Sequence, residues 1–146
     1  MQATGEDAEP HAMLRRALEP RPVAPPEVLA SLRDPLVIDV RDYDSNGDAS
    51  KAGGLALRKS HHVPLNKNGV PQKEDPTTAE EFKQKLIDDG VWEVLMDRGY
   101  NAPIITHCGK GGRGGRAAAA LIDLGFEEVH NGGGPDIIRA ARTDLD

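Results

Sequence analysis

The chain predicts an α/β domain with a mostly parallel central sheet, and three features carry that expectation. Two short apolar runs, residues 35–40 (PLVIDV) and 102–107 (APIITH), are continuous rather than alternating, as in strands buried on both faces. Segments of helical period separate and follow them, so strands and helices alternate along the chain. A length of 146 residues suits one domain with a sizeable core.

Taken in order, residues 1–20 form a flexible tail rich in Pro, Ala and charge, and the domain occupies residues 21–146. A short helix near residues 11–18 is compatible with that tail, but Pro20, Pro22, Pro25 and Pro26 stop any continuation. The same Pro25 and Pro26 suit the start of one or two helical turns over residues 27–32. The first strand, at 35–40, is followed by a long loop over 42–60 that carries Asn46-Gly47 and Gly53-Gly54. A brief second strand is expected at 62–65.

Thr77 and Thr78 each precede a glutamate by three residues, the spacing of a capping box, and so open a helix. Phe82, Leu86 and Ile87 fall on one face of it, and a further helix over 91–97 stops at Gly99. After the strand at 102–107 come a glycine-rich loop, CGKGGRGG, and an alanine-rich helix with Leu121 and Leu124 on one face and Gly125 as its cap. Residues 128–130 make the last strand, 132–134 a turn, and 135–142 a terminal helix.

Composition narrows the function classes. A net charge of −6 argues against nucleic acid or an anionic membrane as the main partner. One cysteine forms no internal disulfide, and no apolar stretch approaches the ~20 residues of a membrane span. The acidic start MQATGEDAEP lacks the apolar core of a signal peptide, so the default expectation is a cytoplasmic location.

The chemistry concentrates at Cys108. Five of the sixteen glycines lie between residues 109 and 115, where bare backbone amides can curl around one anionic centre. The following helix directs its positive end at the same point, and Lys110, Arg113 and Arg116 add three cations with no acid between His107 and Leu121. Such surroundings favour a thiolate, the nucleophilic form of cysteine. The plainer alternative is a small buried residue that ends a strand. Gly109-x-Gly111-x-x-Gly114 also fits a dinucleotide fingerprint, but only about 30 residues follow, too few for the rest of such a sheet. No Ser or Thr follows Lys110, which excludes a Walker A loop. Asp39 and Arg41 close the first strand on the edge where parallel sheets place their sites, either as a salt link beneath the loop or as substrate contacts. Strand alternation turns His107 to the opposite face, so a core histidine with one hydrogen bond is the plainer reading, with general-base duty as the alternative. His61 and His62 with a single thiol make a poor metal set.

Over about residues 21–142 the chain resembles the single-domain rhodanese-like family. The resemblance is carried by residues 36–41 (LVIDVR), His62-Val63-Pro64-Leu65, the run from Ile104 through Cys108, the C-x-x-G-x-R spacing of Cys108, Gly111 and Arg113, and Gly132-Gly133. It implies a three-layer fold with a mostly parallel five-stranded sheet and helices on both faces. It also implies a sulfurtransferase that carries sulfane sulfur as a persulfide on Cys108, cradled by the amides of Gly109, Lys110, Gly111, Gly112 and Arg113. The donor is a small anion (thiosulfate, a persulfide or mercaptopyruvate) bound by Lys110, Arg113 and Arg116, with Asp39 and Arg41 nearby. The acceptor is a thiol or cyanide, and neither a metal nor an organic cofactor takes part. A non-catalytic binding module and a cysteine-dependent phosphatase or arsenate reductase are the alternatives. The latter use H-C-x5-R, whereas Gly114 stands at that position here and the arginine comes one residue earlier, at Arg113. Residues 53–60 (GGLALRKS) lack the histidine of the family's G-H-I-x-G-A segment, the loop at 42–51 is long, and Gly134-Pro135-Asp136 replaces the usual aromatic after the double glycine.

Overall fold

The computed structural model describes residues 18–146, so most of the possible helix at 11–18 lies outside the described residues. Nine elements follow: α1 (Pro26–Ser31), β1 (Leu36–Asp39), β2 (Ser60–His62), α2 (Ala79–Asp88), α3 (Val91–Arg98), β3 (Ile104–His107), α4 (Gly112–Asp123), β4 (Val129–Asn131) and α5 (Pro135–Ala141). The strands form one wholly parallel sheet in the order β2-β1-β3-β4.

The sheet has four strands rather than five. Beyond β4 there is only a single parallel bridge between Val23 and Asn131, with the Ala24 N–H donating to the Asn131 carbonyl at 2.8 Å. Pro22, Pro25 and Pro26 flank that bridge and have no N–H to extend the ladder. The second strand also sits earlier than expected, at 60–62. Pairing with β1 runs on through the Val63 and Leu65 amides, but Pro64 between them cannot donate. The last strand is displaced by one residue, to 129–131.

Period-2 alternation divides the core into two layers. Leu36, Ile38, Val40 and Ile104 pack with Phe82, Leu86, Leu95 and Leu121 from α2, α3 and α4. Val37 and Ile105 face the other way, against Leu29 of α1 and Ile138 of α5. Burying each large aliphatic of this kind contributes about 1.5–3 kcal/mol. Of the two threonines before α2, Thr78 forms the complete capping box with Glu81. Thr77 is fully buried and bonds the Leu65 carbonyl and Gln72 instead. Ile87 leaves the predicted apolar face and is 44% exposed. Among the described residues no helix is long and apolar enough to cross a membrane.

Candidate active site

β1 and β3 lie side by side in the middle of the sheet, so their C-terminal ends bring Asp39 and His107 into register. Cys108 is the first residue beyond β3. Its N–H donates to the Gly133 carbonyl at 3.1 Å, which ties the loop start to the turn after β4. Residues 108–111 then reverse the chain into α4. Gly111 precedes that helix at φ 122°, a left-handed conformation that a side chain would strain, and its N–H donates to Cys108 Sγ at 3.1 Å. The sulfur is thus held at a helix N-terminus by a backbone amide. Although only 3% of Cys108 is exposed, it lines an open cavity of about 560 Å³ together with Lys110, Arg113 and Arg116.

Close backbone approach holds the loop from two sides. A Cβ on Gly53 or on Gly134 would strike the Gly109 carbonyl oxygen, so these glycines allow their segments to clasp the loop. Asn131 at the end of β4 joins the parts: its Nδ2 donates to the Gly111 and Arg21 carbonyls at 2.9 Å each, and its Oδ1 accepts from the Gly133 N–H at 2.9 Å. Nothing in the local sequence pattern singles out this asparagine, since its partners are distant in the chain. The same holds for the cavity wall opposite the loop. There Gln72 and Lys73 line the cavity with Asn66, whereas the stretch from Lys73 to Glu81 reads in sequence as a solvated helix start. Gln72 and Asn66 are buried, and Gln72 Nε2 donates to Asn66 Oδ1 at 2.8 Å.

The residues singled out from sequence separate into two groups. Gly109, Lys110, Gly112, Arg113 and Arg116 line the cavity with Cys108, and Gly111 holds the sulfur. Arg116 is half-buried, and its Nε donates to the Leu18 carbonyl at 3.3 Å. Arg113 lies with Nη1 3.5 Å from Asp42 Oδ2. Asp39 and Arg41 form the second group and do not reach the cavity. Both are fully buried, with Arg41 Nη2 2.7 Å from Asp39 Oδ2 and Nε 3.0 Å from Oδ1. Arg41 Nη1 donates onward to the carbonyls of Ala52 and Gly54 at 3.0 and 2.6 Å. The pair therefore anchors the segment whose Gly53 meets Gly109, and of its two possible roles the structure places it in the salt link beneath the loop.

His107 is turned to the α1 and α5 side of the sheet and is fully buried. Burial pushes its imidazole below the ordinary histidine range, while Asp39 and the Cys108 carbonyl pull in the other direction. A neutral ring 3.1 Å from a carbonyl must donate through Nδ1, which leaves Nε2 as an acceptor. That lone pair faces a carboxylate, Asp39 Oδ2 at 3.9 Å, and Nε2 has no partner among the described residues. His62 Nε2 is spent on the Arg41 carbonyl at 2.6 Å. Among the described residues no three His, Cys, Asp or Glu side chains are grouped to hold a metal ion.

A parallel sheet flanked by helices, with a lone cysteine cradled between a central strand and a glycine-rich helix start, defines a cysteine-loop α/β protein. The sequence matches the family model described as the rhodanese-like domain over residues 24–134. The chain belongs to that family. No curated protein and no solved structure matches it.

Proposed function

We propose that the protein is a sulfurtransferase acting through a persulfide on Cys108. The observation that carries this reading is the Gly111 N–H directed at Sγ from 3.1 Å, at the floor of a cavity lined by Lys110, Arg113 and Arg116. A thiolate there attacks the outer sulfur of an anionic donor such as thiosulfate. A bond forms between Sγ and that sulfur, the donor's S–S bond breaks, and sulfite leaves with the electron pair. In the second step a thiolate or cyanide attacks the terminal sulfur, and Sγ departs as thiolate. The two steps balance without an oxidant or reductant. The loop amides receive the negative charge that moves onto the outer sulfur.

Loop length separates this reading from phosphatase chemistry. The loop from Cys108 to Arg113 is one residue shorter than H-C-x5-R, and a Cβ on Gly114 would approach His107 Cα to 2.8 Å. A side chain at 114 therefore has no room in this loop. Incubation with thiosulfate is expected to add the mass of one sulfur atom to Cys108, and p-nitrophenyl phosphate is expected to turn over negligibly. Robust phosphate release without the adduct, across several sulfane donors, overturns the reading in favour of a phosphatase. Neither signal would leave a binding module.

Arg116 offers a kinetic test. A lost charge-assisted contact to the donor of ~1.5–3 kcal/mol corresponds to a drop on the order of tenfold or more in kcat/KM. Arg116→Ala is expected to raise KM for thiosulfate accordingly, and to lower the melting temperature only slightly through the lost Leu18 bond. Salt should weaken the wild type more than the variant, because screening removes a contact that the variant lacks. Equal kcat/KM in steady-state assays at two ionic strengths would rule out donor binding by Arg116.

A further inference from the structure

One carboxylate reaches this cationic site from behind. Asp39 commits both of its oxygens to Arg41, but Asp42, immediately after that pair, does not join it. Its Oδ2 lies 3.5 Å from Arg113 Nη1 and accepts from Asn66 Nδ2 at 3.3 Å. Its Oδ1 is out of contact with solvent and has no partner among the described residues. The carboxylate stands in the wall of a second cavity of about 430 Å³, which shares Asn66 with the cavity at Cys108. Lys85 lines that second cavity too, but its Nζ is bonded to the Asn66 carbonyl at 2.8 Å.

This is a loose arrangement. Charge-assisted N–H···O contacts close to about 2.7–2.9 Å when geometry allows, and an arginine–carboxylate pair commonly uses both oxygens. Here the contact is long, single and one-sided. A donor anion that reaches Arg113 must share the guanidinium with Asp42 and approach its negative charge.

We infer that Asp42 is a specificity-determining residue, an internal counter-anion that competes with the donor for Arg113 and discriminates against dianionic donors relative to monoanionic ones. The inference rests on reading the Cys108 cavity as the donor site. Repulsion is proportional to the donor's charge, so on a logarithmic scale a dianion feels about twice the effect of a monoanion. For a partly exposed group, removal of this charge is expected to tighten a dianion about tenfold and a monoanion about threefold.

The test compares wild-type protein with Asp42→Asn, which keeps the shape of the side chain, and with Asp42→Ser as a second neutral variant. Inorganic sulfate binding by titration calorimetry gives a measure independent of turnover, and melting curves record that each variant folds. KM for thiosulfate, a dianion, is then set against KM for methanethiosulfonate, a monoanion with the same transferable sulfur. Tighter sulfate binding in a folded variant, with a larger fall in KM for thiosulfate than for methanethiosulfonate, is the expected result. Sulfate affinity that is unchanged, weaker or undetectable in the folded variants overturns the inference, since Asp42 would then order Arg113 rather than compete for it. An equal gain for both donors overturns the charge discrimination. If no donor is turned over by any form, the sulfurtransferase reading fails, and the sulfate affinities still decide whether Asp42 competes for Arg113.

Discussion

Cys108→Ser is expected to abolish sulfur loading while leaving the fold intact. Serine is nearly isosteric, and the Gly111 N–H that now meets Sγ at 3.1 Å can donate to a hydroxyl oxygen in its place. The Cys108 N–H to Gly133 bond is a main-chain contact and persists. The hydroxyl, however, is a poor nucleophile without an adjacent base. Among the described residues no Asp, Glu or His lines the cavity with Cys108, and His107 is turned to the other side of the sheet, with Nδ1 on the Cys108 carbonyl. Turnover should therefore fall on the order of 10³-fold or more, as when a nucleophile is removed without replacement. The sulfur adduct should disappear from the intact mass, and the melting temperature should move by only a degree or two. A serine variant that still gains a sulfur atom, or still transfers sulfur at a comparable rate, would remove Cys108 from the chemistry.

What the sequence discloses of this protein follows the range of the forces involved. β1 and β3 are visible because they are buried on both faces and so read as unbroken apolar runs. The Thr78 capping box and the stop at Gly99 are visible because caps act within one turn. The loop at Cys108 stands out because glycines and cations cluster there in sequence as they do in space. Contacts made over long separations leave no such trace. Asn131 joins Arg21 and Gly111, and Lys73 lines the cavity from a segment whose composition suggests only a solvated helix start. Asp42 and Arg113 are brought together only when β1 and β3 pair. Asp39 and Arg41 show a different limit. Their position at a strand end suits both a scaffold and a substrate contact, and burial decides between the two. The count of five strands rests on resemblance alone, and the prolines around Val23 lack the N–H groups that would extend the single bridge there into a ladder.

The buried Asp39–Arg41 pair sets the second large effect, this time on stability. Arg41→Met removes the guanidinium but keeps most of the apolar stem, so the loss falls on charge and hydrogen bonding rather than on volume. Asp39 would remain at 0% exposure without the guanidinium that now bonds both of its oxygens. Breaking one side of such a pair costs about 3–5 kcal/mol. Set against a typical total of about 5–15 kcal/mol, that brings the domain close to unfolding at moderate temperature. The double variant Asp39→Leu/Arg41→Met separates two contributions. It leaves no unpaired buried charge, so most of the stability should return. It still lacks the donor that Arg41 Nη1 supplies to the Ala52 and Gly54 carbonyls, and so lacks the clamp that presses Gly53 against the Gly109 carbonyl. Urea unfolding should therefore rank the wild type first, the double variant next and Arg41→Met last. Sulfur loading on Cys108 should be slower than wild type in both variants, even where the double variant is well folded. A single variant that loses less than about 1 kcal/mol would show that the pair does not hold this edge of the sheet. A double variant that recovers its stability and loads sulfur at the wild-type rate would show that the Ala52–Gly54 segment has no part in shaping the loop.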